Sequence, residues 1–331
     1  MPPVPSELHV DRWLTDLSVA YAQDTRDFIS DKVFPTVSVR KASDKYIIYN
    51  RGDFWREGQV KERPLGGRLD VADWGKTEGS YQCVERGVAH KIDDRQYANV
   101  DDPMDLDRQA MELLTSLVMV DAEKRFVDEF FKPGIWTTDL TGVASADFTS
   151  IDTPNTGTPM IIIDEQKEAM KRLTALTPNV LILGPVAYRK ARNHDRVKDV
   201  FKYTREGIID EALLARVFGV DRLYIPRGVS NAAVEGQADD LDFIIDNSAA
   251  GGAAEDALLL YAAPRPGINT PSAGYTFAWT GLIPGLTNPM GGVIERRRDG
   301  DAHSEHFEIR RADDLKLVSP DLGVYFDAFA A

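Results

Sequence analysis

The sequence predicts an α+β fold laid out along one long helix. Three observations carry this. Residues 102–132 hold an unbroken helical pattern. Ahead of it, two strand-like segments, 45–50 and 80–92, flank a long stretch rich in glycine and charge. Beyond it, helical and apolar runs alternate over 161–280, and two further strand-like segments frame an Asp-Gly turn.

Composition bounds what such a fold can do. The 331 residues, 43% hydrophobic and 28% charged, suffice for two or more domains with a sizeable core. A formal net charge of −14 argues against broad contact with nucleic-acid phosphates, which needs clustered Lys and Arg. The same charge favours solubility but makes a large assembly of such chains manage self-repulsion. The single cysteine, Cys83, excludes an intrachain disulfide and is consistent with a reducing compartment. No apolar run approaches ~20 residues, so no membrane span is expected. The N terminus, MPPVPSELHV, lacks the basic and apolar segments of a signal peptide.

In chain order, Asp16 to Ile29 fits a short amphipathic helix, and Val33 to Val39 alternates as an extended arm does. Such an arm packs on its own domain or lies on a neighbouring chain. KYIIYN at 45–50 and SYQCVERGVAHKI at 80–92 read as strands. The connection between them holds Phe54, Trp55 and Trp74 but no period long enough for a core. Ordered domains seldom keep such connections without a use, so a protruding β-hairpin is expected, with a disordered loop as the alternative.

The long helix starts with Asp102 as cap and Pro103 in the first turn, where no backbone N–H is needed. Leu106, Ala110, Leu113, Leu114, Leu117, Val120 and Val127 recur at three- and four-residue spacing, and Leu117 is expected to be buried in that stripe. Pro133-Gly134 ends a rod of roughly 45 Å. Residues 163–175, 186–194 and 208–217 read as helices; 179–183, 221–226, 241–245 and 257–263 read as strands. Residues 291–298 and 303–311 form a hairpin about Asp299-Gly300-Asp301, and 315–326 is extended with a break at Pro320.

The chemistry-bearing residues point to no catalytic, cofactor or metal site. His303 and His306, three apart on a strand, face opposite ways, which is poor for a shared metal. Asp239, Asp240, Asp242 and Asp246 lack the glycine and terminal glutamate of a calcium loop. No glycine-rich phosphate loop and no GxSxG elbow occurs. Cys83 is expected to be a buried structural thiol, and Asp93-Asp94 and Asp101-Asp102 turn or cap residues.

The order of parts, with DKVFPTVSV, DKYIIYNRGDFW and HKIDDRQYANVDDPMDLDRQA leading into the long helix, resembles the major capsid proteins of tailed bacteriophages, with the Hong Kong 97-type fold. The resemblance covers nearly the whole chain. It implies an N-terminal arm (1–44), an extended E-loop hairpin (45–92) and a P-domain (93–160) with the spine helix 103–132. It further implies an α/β A-domain (161–282), P-domain return strands (283–312) and a terminal A-domain strand (313–331). The implied function is structural: self-assembly into an icosahedral shell around a double-stranded DNA genome. The implied partners are the chain itself, as hexamers and pentamers, a portal protein and optionally a decoration protein. The arm begins almost at Met1, so scaffolding is expected from a separate protein. Assembly in the bacterial host cytoplasm and residence in the virion capsid follow, with no sequence-specific nucleic-acid binding and no membrane. The lysine–asparagine crosslinking constellation of some relatives finds no match, so covalent linkage is not expected. An encapsulin-like compartment shell is the alternative within this fold, and an α/β enzyme using 161–280 the alternative outside it. The expected contacts between subunits join the hairpin residues Trp55, Arg56, Lys61, Arg63 and Arg68 to Asp105, Asp107, Glu112, Asp128 and Glu129 of a neighbour's spine.

Overall fold

The computed structural model describes residues 23–63, 65–69, 71–99, 105–142, 147–151, 157–201, 210–246, 253–267, 270–282 and 291–330. Two five-stranded sheets and the spine helix organise them.

The first sheet is built on one long strand. Its members are β1 (Thr36–Val39), β4 (Val84–Asp93), β11 (Gly274–Trp279), β12 (Gly292–Asp299) and β13 (Ser304–Leu317). β13 pairs antiparallel with β4, β12 and β11, and β1 runs parallel to β11. The expected turn at Asp299-Gly300 joins β12 to β13, and the Asp299 side chain accepts from the Asp301 and Ala302 N–H groups. His303 lies in that turn with φ 46° rather than on the strand.

The second sheet has the order β5-β14-β10-β6-β7: Thr138–Thr141, Gly323–Asp327, Ala257–Leu260, Val180–Leu183 and Arg222–Tyr224. Every residue of β6 (VLIL) and β10 (ALLL) is buried, which is why both read as continuous apolar runs. The helices Pro159–Thr174, Pro185–Asn193 and Glu211–Val217 contribute Ile163, Ala187 and Leu214 to the core on this sheet. Two short ladders stand apart: β2 (Ser43–Tyr49) with β3 (Lys76–Gln82), and β8 (Val229–Asn231) with β9 (Leu241–Phe243).

The spine helix spans Leu106–Phe130, 25 residues and about 37 Å. Its described cap is Asp105, whose carboxylate accepts from the Arg108 N–H at 3.1 Å; Asp102 and Pro103 lie outside the described residues. Past its C-terminal end, Gly134 takes a left-handed φ of 85°. Phe126, Phe130 and Phe131 anchor this end in the core, with Phe34 edge-on to Phe130 at 4.9 Å. Trp136 Nε1 donates back to the Phe130 carbonyl at 2.9 Å.

Three expectations need correction. Leu117 is not buried: it is 46% exposed and Leu113 48%, whereas Leu114 is 1% exposed. The N-terminal half of the spine rests on β4 and β13 through buried Ala110 and Leu114, with Leu106, Met111 and Val118 partly buried beside them, so the side carrying Leu113 and Leu117 faces outward. Residues 23–29 form a turn and irregular chain instead of the end of a helix, with the Arg26 N–H bonded to the Asp24 carboxylate; residues 1–22 lie outside the described residues. The segment 80–92 is not one strand. It breaks at buried Cys83, whose N–H donates to Ala42 O and whose thiol donates to Phe277 O, so β3 stays with the hairpin and β4 joins the first sheet.

Candidate inter-subunit site

The hairpin is a two-stranded ladder in register from Ser43↔Gln82 to Tyr49↔Lys76. At its base, Tyr81 stacks on Phe277 at 4.5 Å and Tyr46 at 5.6 Å, fixing it to the first sheet. Beyond Tyr49 the chain makes one helical turn, Arg51–Phe54, capped by the Asn50 side chain accepting from the Gly52 N–H. Asp53 then ties the two sides of the tip together, accepting from the Gly75 N–H at 2.8 Å and from Arg56 at 2.8 Å. These bonds hold an aromatic group in place: Phe54 stacks on Trp74 at 6.2 Å, and Tyr49 meets both rings edge-on.

That group is ordered but not covered. Phe54 is 61% exposed and Trp74 50%, and Trp55, Val60, Leu65, Leu69 and Val71 are exposed as well. An isolated two-stranded ribbon with so much apolar surface is not self-sufficient. Besides the stacking at its base, an ion pair ties the ribbon to its own chain: Arg51 pairs with Asp321 at 2.7 Å, and Asp321 also accepts from the Thr137 hydroxyl.

The ten predicted contact residues fall into two groups. Trp55, Arg56, Lys61, Arg63 and Arg68 all lie on the exposed tip. Of these, Arg56 is engaged by Asp53 of the same tip. The spine carboxylates are less of a free acidic face than their sequence suggested. Asp105 caps its own helix. Asp107 accepts from the Tyr97 hydroxyl and pairs with Arg296 at 2.9 Å. Glu112 pairs with Arg108 one turn earlier at 2.8 Å. Asp128 is half-buried and Glu129 exposed. Sequence reasoning missed the exposed leucines between these carboxylates, because an apolar residue at helical spacing looks the same whether its own chain or a second one covers it.

A groove of about 410 Å³ runs beside Leu113, with His90, Ile92, Gln96, Asn99, Leu106 and Gln109 among its lining. It is open, and its lining holds one imidazole and no carboxylate, thiol or amine, so it lacks the convergent titratable groups of an acid–base site. Among the described residues, no group of three or more His, Cys, Asp or Glu is placed to hold a metal ion, and no helix is long and apolar enough to cross a membrane. Burial, reinforced by Asp314 and Asp313, pushes the Cys83 thiol up to about 12, as an inert structural thiol requires.

No family model matches the chain. The major capsid protein of Burkholderia phage BcepMu is 24% identical over 238 residues, 72% of this chain and 73% of that protein. The crystal structure of a phage-related protein from Bordetella bronchiseptica superposes with a TM-score of 0.65 at 18% identity, covering 93% of this chain and 94% of that one. The capsid of cyanophage P-SCSP1u gives 0.59 at 12% identity, covering 97% and 93%. The chain therefore has the Hong Kong 97-type fold of phage capsid proteins and is similar, over most of its length, to a phage major capsid protein.

Proposed function

We propose that the chain is the major capsid protein of a tailed phage, self-assembling through hexamers and pentamers into the icosahedral shell that encloses a double-stranded DNA genome. The observation that carries this is the hairpin: a phage-capsid fold presents an ordered, exposed aromatic tip with no core of its own. Burying that surface against neighbours supplies a driving force of ~25 cal/mol per Å². In a closed shell each such tip meets a surface elsewhere on the next copy, a heterologous contact that rotation closes into rings.

The tip's receiving surface is the outward side of a neighbour's spine, with Leu113 and Leu117 between acidic positions. The apolar contact supplies most of the stabilisation. Arg56, Lys61, Arg63 and Arg68 set register against the spine acids Asp105, Asp107, Glu112, Asp128 and Glu129, since one exposed ion pair is worth only about 0–1 kcal/mol. In this reading the hairpin is the E-loop, the spine and first sheet form the P-domain, and the second sheet with its helices forms the A-domain. The role is structural rather than enzymatic. The net charge of −14 suits a container that lets DNA move in and out. Scaffolding, portal and decoration proteins are the proposed partners, and the bacterial cytoplasm the proposed assembly site. Coexpression with the other head proteins of the phage, followed by sedimentation, tests this reading. Fast-sedimenting closed particles are expected, and a chain that stays monomeric in every combination overturns it.

A further inference from the structure

The chain segment entering β1 rests on the spine through one buried carboxylate. Glu123, in the C-terminal half of the spine helix, has 0% of its surface exposed. Its Oε2 accepts from the Ile29 and Ser30 N–H groups, both at 2.8 Å, and the Ser30 side chain also bonds to the carboxylate. A spine residue thus satisfies the free N–H groups that open the short helix Ser30–Val33, which has no cap of its own. Its Oε1 has no hydrogen-bond partner.

The charges around this carboxylate do not neutralise it. From the Ser30–Val33 turn comes Asp31, of like sign. Asp31 in turn pairs with Arg311 of β13, and Asp313 of that strand and Asp121 of the spine hold Arg125. Both cations are committed elsewhere: Arg311 to Asp31 at 2.6 Å and Asp313 at 2.9 Å, Arg125 to Asp121 and Asp313, each at 3.0 Å. An ionised Glu123 would hold a bare anionic oxygen in a dry joint beside Asp31. A neutral Glu123 keeps its double acceptor on Oε2 and replaces the bare charge on Oε1 with an O–H, whose burial costs less.

We propose that Glu123 is a proton-operated latch, which holds residues 29–34 against the spine when neutral and loosens them when it ionises. Burial, with Asp31 adding, raises the carboxyl from 4.5 to about 7, consistent with that direction. The folded value lies above the unfolded one, so the latch contributes fully below about pH 4.5 and loses its contribution as pH rises to about 7.

Peptide-resolved hydrogen exchange of the full chain, corrected for the intrinsic pH dependence of exchange, tests this at residues 28–36. Opening of this segment should rise by up to about tenfold per pH unit between pH 5 and 7 and then level off, the limit for one linked proton. Glu123→Gln keeps a carbonyl acceptor without the charge, so its segment should stay closed and pH-independent up to pH 8. A flat wild-type profile, or the same slope in Glu123→Gln, overturns the proposal. If the variant does not fold, the wild-type profile decides, and absence of a rise at 28–36 overturns the latch whether or not shells assemble.

Discussion

Placing a carboxylate at two adjacent turns of the spine separates what the chain needs to fold from what it needs to assemble. Leu114 is 1% exposed and Leu117 46%. Full burial of a leucine is worth ~1.5–3 kcal/mol. Leu114→Asp loses about that much and adds an unpaired buried carboxylate at several kcal/mol more, against a total stability of about 5–15 kcal/mol for a typical domain. It should abolish soluble folded protein. Leu117 is half covered in the single chain, so Leu117→Asp should cost it only about 1 kcal/mol. In the proposed shell contact the same side chain would meet a neighbour's tip, where a charge opposes burial of the aromatic group. Leu117→Asp should therefore melt within a few degrees of wild type by circular dichroism of the dissociated chain, yet fail to form closed particles on sedimentation. If Leu117→Asp unfolds as Leu114→Asp does, this side of the helix is covered within the chain. If it assembles normally, no neighbour uses it.

Three further outcomes follow from the same structure. Reversing Arg56, Lys61 and Arg63 to glutamate should leave the circular dichroism spectrum intact and block shell closure; normal, equally salt-resistant particles would exclude an electrostatic part in the contact. Asp256 is buried, accepts from the Tyr325 hydroxyl at 2.5 Å and the Ala328 N–H at 2.7 Å, and burial raises it from 3.8 to about 6. Its stabilising contribution is thus full below about pH 3.8 and lost as pH rises to about 6, so Asp256→Asn should lose less thermal stability than wild type between pH 4 and 7. An identical loss in the two proteins would show that this carboxyl does not titrate as described. Mature particles boiled in detergent should run as one chain-sized band, and a ladder of multimers would reveal a covalent link.

How far the sequence foretold this can be traced residue by residue. The Val180–Leu183 and Ala257–Leu260 strands were legible because burial on both faces leaves an unbroken apolar run. The C-terminal hairpin was legible because Asp299-Gly300 sits between alternating segments. Gly274–Trp279 carried a readable aromatic alternation that went unused, whereas Thr138–Thr141 is a strand only because Gly323–Asp327 pairs with it. The break at Cys83 had no local signal, since it arises from bonds to Ala42 and Phe277. Glu123 was invisible for a different reason: a glutamate in a helix is ordinary until the fold seals it under Ile29 and Ser30. Of the contact site, the hairpin could be read from its lack of a core. The acidic face was overread: the pairing of Asp107 with Arg296 depends on three-dimensional placement, whereas Glu112 lies four residues after Arg108 on the same helix and its pairing was open to reading.

In the proposed shell the hairpin completes its packing on another copy. A cryo-electron microscopy reconstruction of assembled particles tests this directly. It should show the Phe54–Trp74 group seated over Leu113 and Leu117 of a neighbouring subunit. A tip still exposed in a closed shell, or one folded onto the spine of its own chain, would contradict it.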